Sequence, residues 1–237
     1  MQFIFDNIVA SIVMGTLIFA LAATQLRVQE TGIAQVSSHA AKTKALTLGQ
    51  WVDEDIIALG EDVPDNSARF DNPITDTLHI KKMGPNSTVV QDVIDYTVEW
   101  RFYSDTTTAA GVQLRRATRY WLTEVGSVEI DVGDETDTRR LFQLQRAVSP
   151  WGDPATTLAL PPSAFTEDGR SAATLSVFHV QLLDGEGVPF AATNPLAPDQ
   201  ASYVSVDFAM VSEFELRREY LRELFWSTTL KVRPFWG

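Results

Sequence analysis

The sequence predicts an α+β protein, one long N-terminal α-helix followed by an antiparallel β-sheet domain, and three observations carry that expectation. Residues 7–26 contain no charge, helical spacing continues beyond them, and no proline occurs before Pro64. Downstream, short segments alternate apolar and polar residues with period two, the signature of half-buried antiparallel strands. Clusters of Gly, Pro, Asn, Asp and Ser separate those segments where turns are needed.

The first element is the run NIVASIVMGTLIFALAATQL between Asp6 and Arg27. At about 1.5 Å per residue it is long enough to cross a hydrocarbon core roughly 30 Å thick. It exceeds the apolar core of a secretory signal and lacks both a preceding basic flank and a clear small-residue cleavage site, so it is expected to be retained. Residues 1–27 are therefore read as an apolar helix, a membrane anchor or filament core. Residues 28–60 continue it in amphipathic form, because Ala41, Ala45, Leu48, Val52, Ile56 and Leu59 recur every three or four residues and share one face. That face should pack on the domain of residues 61–237. Gly60 and Pro64 end the helix. Gly15, Gly32 and Gly49 inside it each cost up to about 1 kcal/mol against alanine and leave the helix able to bend there. The trio Asp53, Glu54, Asp55 reads as a solvated face opposing the helix dipole.

Turn formers fill 61–73. A short strand follows at Thr77–Lys82, a turn at Met83–Thr88, and then the clearest strand, with Ile94, Tyr96, Val98, Trp100 and Phe102 alternating with polar partners. Val112–Leu122 and Ser127–Val132 are read as two further strands, and Arg139–Val148 as a third that completes a meander. Residues 149–171 hold four prolines and two glycines with little periodicity, so a long surface loop is expected there. Strands follow at Ala173–Asp184 and Tyr203–Val211, a short helix or loop at Arg217–Leu224, and a closing strand in FWSTTLKVRPFWG.

Composition narrows the function. Hydrophobic residues make up 45% and aromatics 10% of 237 residues, ordinary for a folded chain with one sizeable core. The formal charge of −12, from 31 acidic and 19 basic residues, repels nucleic acid. With no cysteine, disulfides and thiolate metal sites are excluded.

No catalytic, cofactor or metal site is expected. His39, His79 and His179 lie far apart without metal-ligand spacing, and no Walker loop, nucleophile elbow or dinucleotide fingerprint occurs. The acidic group Asp131, Asp134, Glu135, Asp137 departs from the EF-hand pattern and reads as a solvated hairpin tip. Arg115, Arg116, Arg119, Arg139 and Arg140 form the one basic concentration, explained by cross-strand pairing with Glu129 or Asp131. Asn86-Ser87-Thr88 matches a glycosylation sequon.

An uninterrupted N-terminal helix, apolar and then amphipathic, ahead of an antiparallel domain resembles the type IV pilin and pseudopilin family. Leu48–Asp62, LGQWVDEDIIALGED, is similar to the helix end of its larger minor members, and LRRATRYWL and STTLKVRP to their arginine-bearing and closing strands. The family places Glu at the fifth mature position, whereas here Phe5 stands there and Asp6 follows. Asp6 would be fifth if Gln2 were the mature start. The family's basic leader ending in Gly does not precede Met1, so either the numbering is that of the processed chain or no such leader exists.

The resemblance implies a structural subunit of a pilus-like or pseudopilus-like surface filament, not an enzyme. It would polymerise with copies of itself or with other pilin-like subunits, sit in the cytoplasmic membrane before assembly, and bind no nucleic acid. The self-assembly residues it implies are Phe3, Phe5, Asp6, Ile8, Ile12, Leu17 and Phe19. A lone carboxylate at the edge of the apolar run either stays in the head-group layer or pairs with a cation, the nearest in a bundle being another subunit's α-amino group. The alternative is a single-pass anchored extracytoplasmic module whose 149–171 and 188–200 loops recognise a ligand or scaffold a complex.

Overall fold

The computed structural model describes residues 2–63, 68–170, 173–189, 201–211 and 223–232, with backbone alone for 2–10, 34, 37 and 170. The fold is α+β: one long N-terminal helix and an eight-stranded antiparallel sheet. The chain divides into two compact units, residues 1–40 and 41–237. Helix α1, Gln2–Ile57, runs unbroken for 56 residues. It ends as expected, with Gly60 at φ 70° and its N–H donating to the Tyr103 carbonyl at 2.9 Å. Pro64 lies outside the described residues.

The strands are β1 (Ile74–Met83), β2 (Val89–Thr107), β3 (Gln113–Val132), β4 (Glu135–Val148), β5 (Thr166–Arg170), β6 (Thr174–Leu183), β7 (Tyr203–Val211) and β8 (Glu223–Lys231). Their spatial order is β1-β2-β3-β4-β6-β7-β8, with β5 beside β4. β2 changes partner along its length, pairing with β1 up to Glu99 and with β3 from Glu99 onward. Beyond β1 its outer edge is covered by the chain leaving the helix: Asp105 N–H donates to Glu61 and Tyr103 N–H to Arg69. β4 and β6 meet at the Phe142–Leu175 pair, and further along β6 the Val180 N–H donates to the buried Thr97 hydroxyl at 2.8 Å. A side chain there satisfies a backbone donor that the ladder does not.

The core fills the space between the last turns of α1 and the sheet. Ala41, Ala45, Leu48, Val52, Ile56 and Leu59 are all buried, as their spacing predicts. Burying each of the four larger ones contributes about 1.5–3 kcal/mol, an upper bound because the unfolded chain already hides some surface. They face Trp100, Phe102, Tyr120, Leu144, Leu175, Phe178, Val206 and Phe208.

Two expectations change. Val112–Leu122 and Ser127–Val132 are one strand: β3 continues through residues 123–126 by a register shift between Glu124 and Gly126. The 149–171 segment is not structureless. It holds the short helix α2, Pro154–Thr157, capped by the Asp153 side chain, and the strand β5. Its opening also pairs with β3, through Arg115 and Gly152. Low periodicity concealed this because a four-residue helix and a five-residue strand are shorter than the windows in which periodicity can be read. Residues 190–200 and most of 217–224 lie outside the described residues.

Candidate assembly helix and its docking cluster

Phe3, Phe5, Asp6, Ile8, Ile12, Leu17 and Phe19 all lie on α1. At 100° per residue Ile12 and Phe19 share one side of the helix while Leu17 projects elsewhere, so the segment is apolar on more than one face. Ile12, Leu17 and Phe19 are 61%, 59% and 76% exposed, and every side chain described from 11 to 33 is exposed. The side chains of Phe3, Phe5, Asp6 and Ile8 lie outside the described residues. The helix is long and apolar enough to cross a membrane. Two of its hydroxyls suit an apolar medium: Thr16 donates to the Val13 carbonyl and Thr24 to that of Ala20, both at 2.8 Å.

From Ala41 onward the helix is held by the sheet domain through more than its apolar stripe. Gly49 lies under the Trp226 indole of β8, where an added Cβ would sit 2.7 Å from two ring carbons. That glycine lets the indole approach the helix closely. Trp51 meets Tyr120 edge to face at 5.7 Å and covers Gly169 of β5.

Asp55, one turn beyond, is the polar fastening. It accepts from Arg146 Nε at 2.6 Å and Nη2 at 2.9 Å, and from the Tyr120 hydroxyl, while Arg146 Nη1 reaches Asp168 of β5. Burial, with the Asp55 carboxylate beside it, pushes the Tyr120 phenol well up. Burial works against the Arg146 cation, but hydrogen bonding and charge from Asp55 outweigh it and raise its pKa. The Asp53–Asp55 face is therefore not simply solvated. Sequence reasoning missed Arg146 and Asp168, and the readable signal was a carboxylate three residues after Val52 on the docking side of the helix.

Four of the five concentrated arginines are ion-paired, but not with Glu129 or Asp131. Arg115 forms a fully buried pair with Asp105 at 2.6 Å, Arg119 grips Glu99 at 2.7 and 2.9 Å, and Arg140 meets Glu124 at 2.6 Å. Arg139 contacts Asp137 at 2.5 Å as an ion pair without hydrogen-bond alignment. The reason is the continuity of β3, which places Glu129 and Asp131 far along the strand from Arg115 and Arg119. Glu99 is held below the usual carboxylate range, first by the Arg119 hydrogen bond and then by Arg101, against a burial effect that raises it. The acidic group forms a hairpin tip, with Glu135 paired to Lys81 and Asp131 and Asp134 exposed. His79 is exposed and His179 half-buried. Among the described residues no group of three or more His, Cys, Asp or Glu is placed to hold a metal ion.

Comparison with protein-family models, with curated proteins and with solved structures finds no match.

Proposed function

We propose that the chain is a structural subunit of a pilus-like filament, polymerising through the apolar half of α1. One observation carries the reading. Residues 11–26 of the helix are uncharged, apolar on all sides and exposed, while residues 41–57 of the same helix are fixed to the sheet by the apolar stripe, the Gly49 contact and the Asp55–Arg146 pair. A helix apolar all round needs an apolar medium on every side. Lipid supplies it for one copy, and a bundle of identical helices supplies it for many.

Before assembly the helix would rest in a membrane. In the filament the sheet domains would lie outside the helical bundle, with acidic surfaces toward solvent. The test is to shear cells that produce the chain and follow it between the fibre and membrane fractions. Recovery in long fibres supports the reading. Recovery in membranes alone, under conditions where the chain is abundant and folded, favours the anchored module instead.

A further inference from the structure

Of the seven arginines on β2 to β4, six have a carboxylate partner: Arg101, Arg115, Arg119, Arg139, Arg140 and Arg146. Arg116 has none. Its guanidinium lies 4.9 Å over the Trp151 ring and its buried Nε has no acceptor. Asp153, two residues after Trp151, is occupied as the N-cap of α2. Trp151 remains 42% exposed, with Val112 at 55% and Leu158 at 41% at the same end of the sheet. Arginine stacked on tryptophan beside exposed apolar side chains is the composition of an interface centre.

The opposite end of β3 is complementary. At the β3–β4 tip Asp131 and Asp134 are exposed and have no ion pair among the described residues, because the neighbouring cations are taken: Lys81 by Glu135, Lys82 by Asp92 and Arg139 by Asp137. Met83, 49% exposed, borders that tip beside Gly133. Sixteen residues of strand separate Arg116 from Val132, on the order of 50 Å. The two ends cannot meet within one domain.

We infer that the Arg116–Trp151 end of one sheet domain receives the acidic β3–β4 tip of a second copy. The inference rests on the filament reading and adds a contact between sheet domains to it. Two different patches on opposite ends make a heterologous contact, the kind that propagates instead of closing as a two-fold dimer.

The chain's lack of cysteine allows a direct test in full-length protein. Leu158→Cys and Thr136→Cys variants are produced separately and together, oxidised in membranes and in sheared material, and run without reductant. A disulfide-linked dimer is expected only when both variants are present. Adding Arg116→Glu to the first, or Asp131→Lys with Asp134→Lys to the second, should lower that dimer at least tenfold, and combining the two changes should restore it to within threefold. The acidic-tip substitutions are exposed, so they test the contact even if Arg116→Glu folds poorly. A dimer from either single variant, no mixed dimer, or a mixed dimer unaffected by the tip reversal would overturn the inference. A mixed dimer without fibres would refute the filament reading alone. Fibres without a mixed dimer would refute this contact alone.

Discussion

Gly49 owes its identity to the Trp226 indole that crosses it, and that gives the first quantitative expectation. Gly49→Ala would gain up to about 1 kcal/mol of helix propensity. It would also force an overlap at 2.7 Å, and such overpacking costs about 1–3 kcal/mol. The net effect should be a lower denaturant midpoint, reversed when Trp226→Leu is added, whereas Gly32→Ala, with open space around it, should not destabilise. A rise in the midpoint for Gly49→Ala alone would refute the packing account. At the other end of the helix, Asp6 is where the anchor and the fibre differ most. In a fibre core, Asp6→Ala leaves a neighbouring α-amino group unpaired, a loss of about 3–5 kcal/mol per subunit. Fibre yield, normalised to membrane-bound protein, should then collapse for Ala and Lys and survive for Glu. For a simple anchor none of the three should matter.

Among the elements, β2 shows what period-two reading captures. Trp100 lies on the inward face that the alternation marks, 1% exposed, with its indole N–H donating to the Asp71 carbonyl at 3.1 Å. Trp100→Asp removes an aromatic worth about 3–5 kcal/mol and buries an unpaired carboxylate as well, so soluble folded protein should not be recovered. A native-like thermal transition from that variant would contradict this account. The docking stripe of α1 was equally readable, because six apolar residues at helical spacing have one physical solution. β3 was less so: Thr123–Gly126 resembles a turn in composition, and only pairing with β4 carries the strand through it as a bulge. The charge partners were illegible for the same reason. Which carboxylate meets Arg119 depends on register, and register depends on the whole hairpin. Asp55 meets Arg146 across 91 residues of sequence, a separation over which local pattern carries no information.

For the whole molecule, the acid response follows from the paired carboxylates. Glu99 has its folded pKa lowered, so it contributes stability that is complete above its unfolded value, near 4.5, and is lost as pH falls through the folded one. Acid unfolding should therefore set in below about pH 4.5, and Glu99→Gln should reduce neutral-pH stability while flattening the acid limb of the curve, as followed by circular dichroism. An unchanged acid limb would show that the Arg119 and Arg101 pairings do not survive in solution. Stability from such pairs also withstands moderate salt better than exposed charges do, since Glu99 and Arg119 are 17% and 15% exposed.

The Gly49–Trp226 contact also dictates an order of events during synthesis. The helix is made before the sheet, and β8, which closes over it, is the last of the described strands to be made. An apolar segment ready for a bilayer thus precedes, by well over a hundred residues of translation, the element that completes the attachment of that same helix to its own domain. At about 5–20 residues per second this interval lasts on the order of ten seconds or more. Throughout it Gly49 faces the bare groove where the indole will later lie, and the Ala41–Leu59 stripe is only partly covered. Ribosomes stalled before and after Trp226 should therefore carry nascent chains of sharply different protease sensitivity at that stripe. If the chain is the filament subunit proposed above, it is fit to leave the membrane only once β8 is in place.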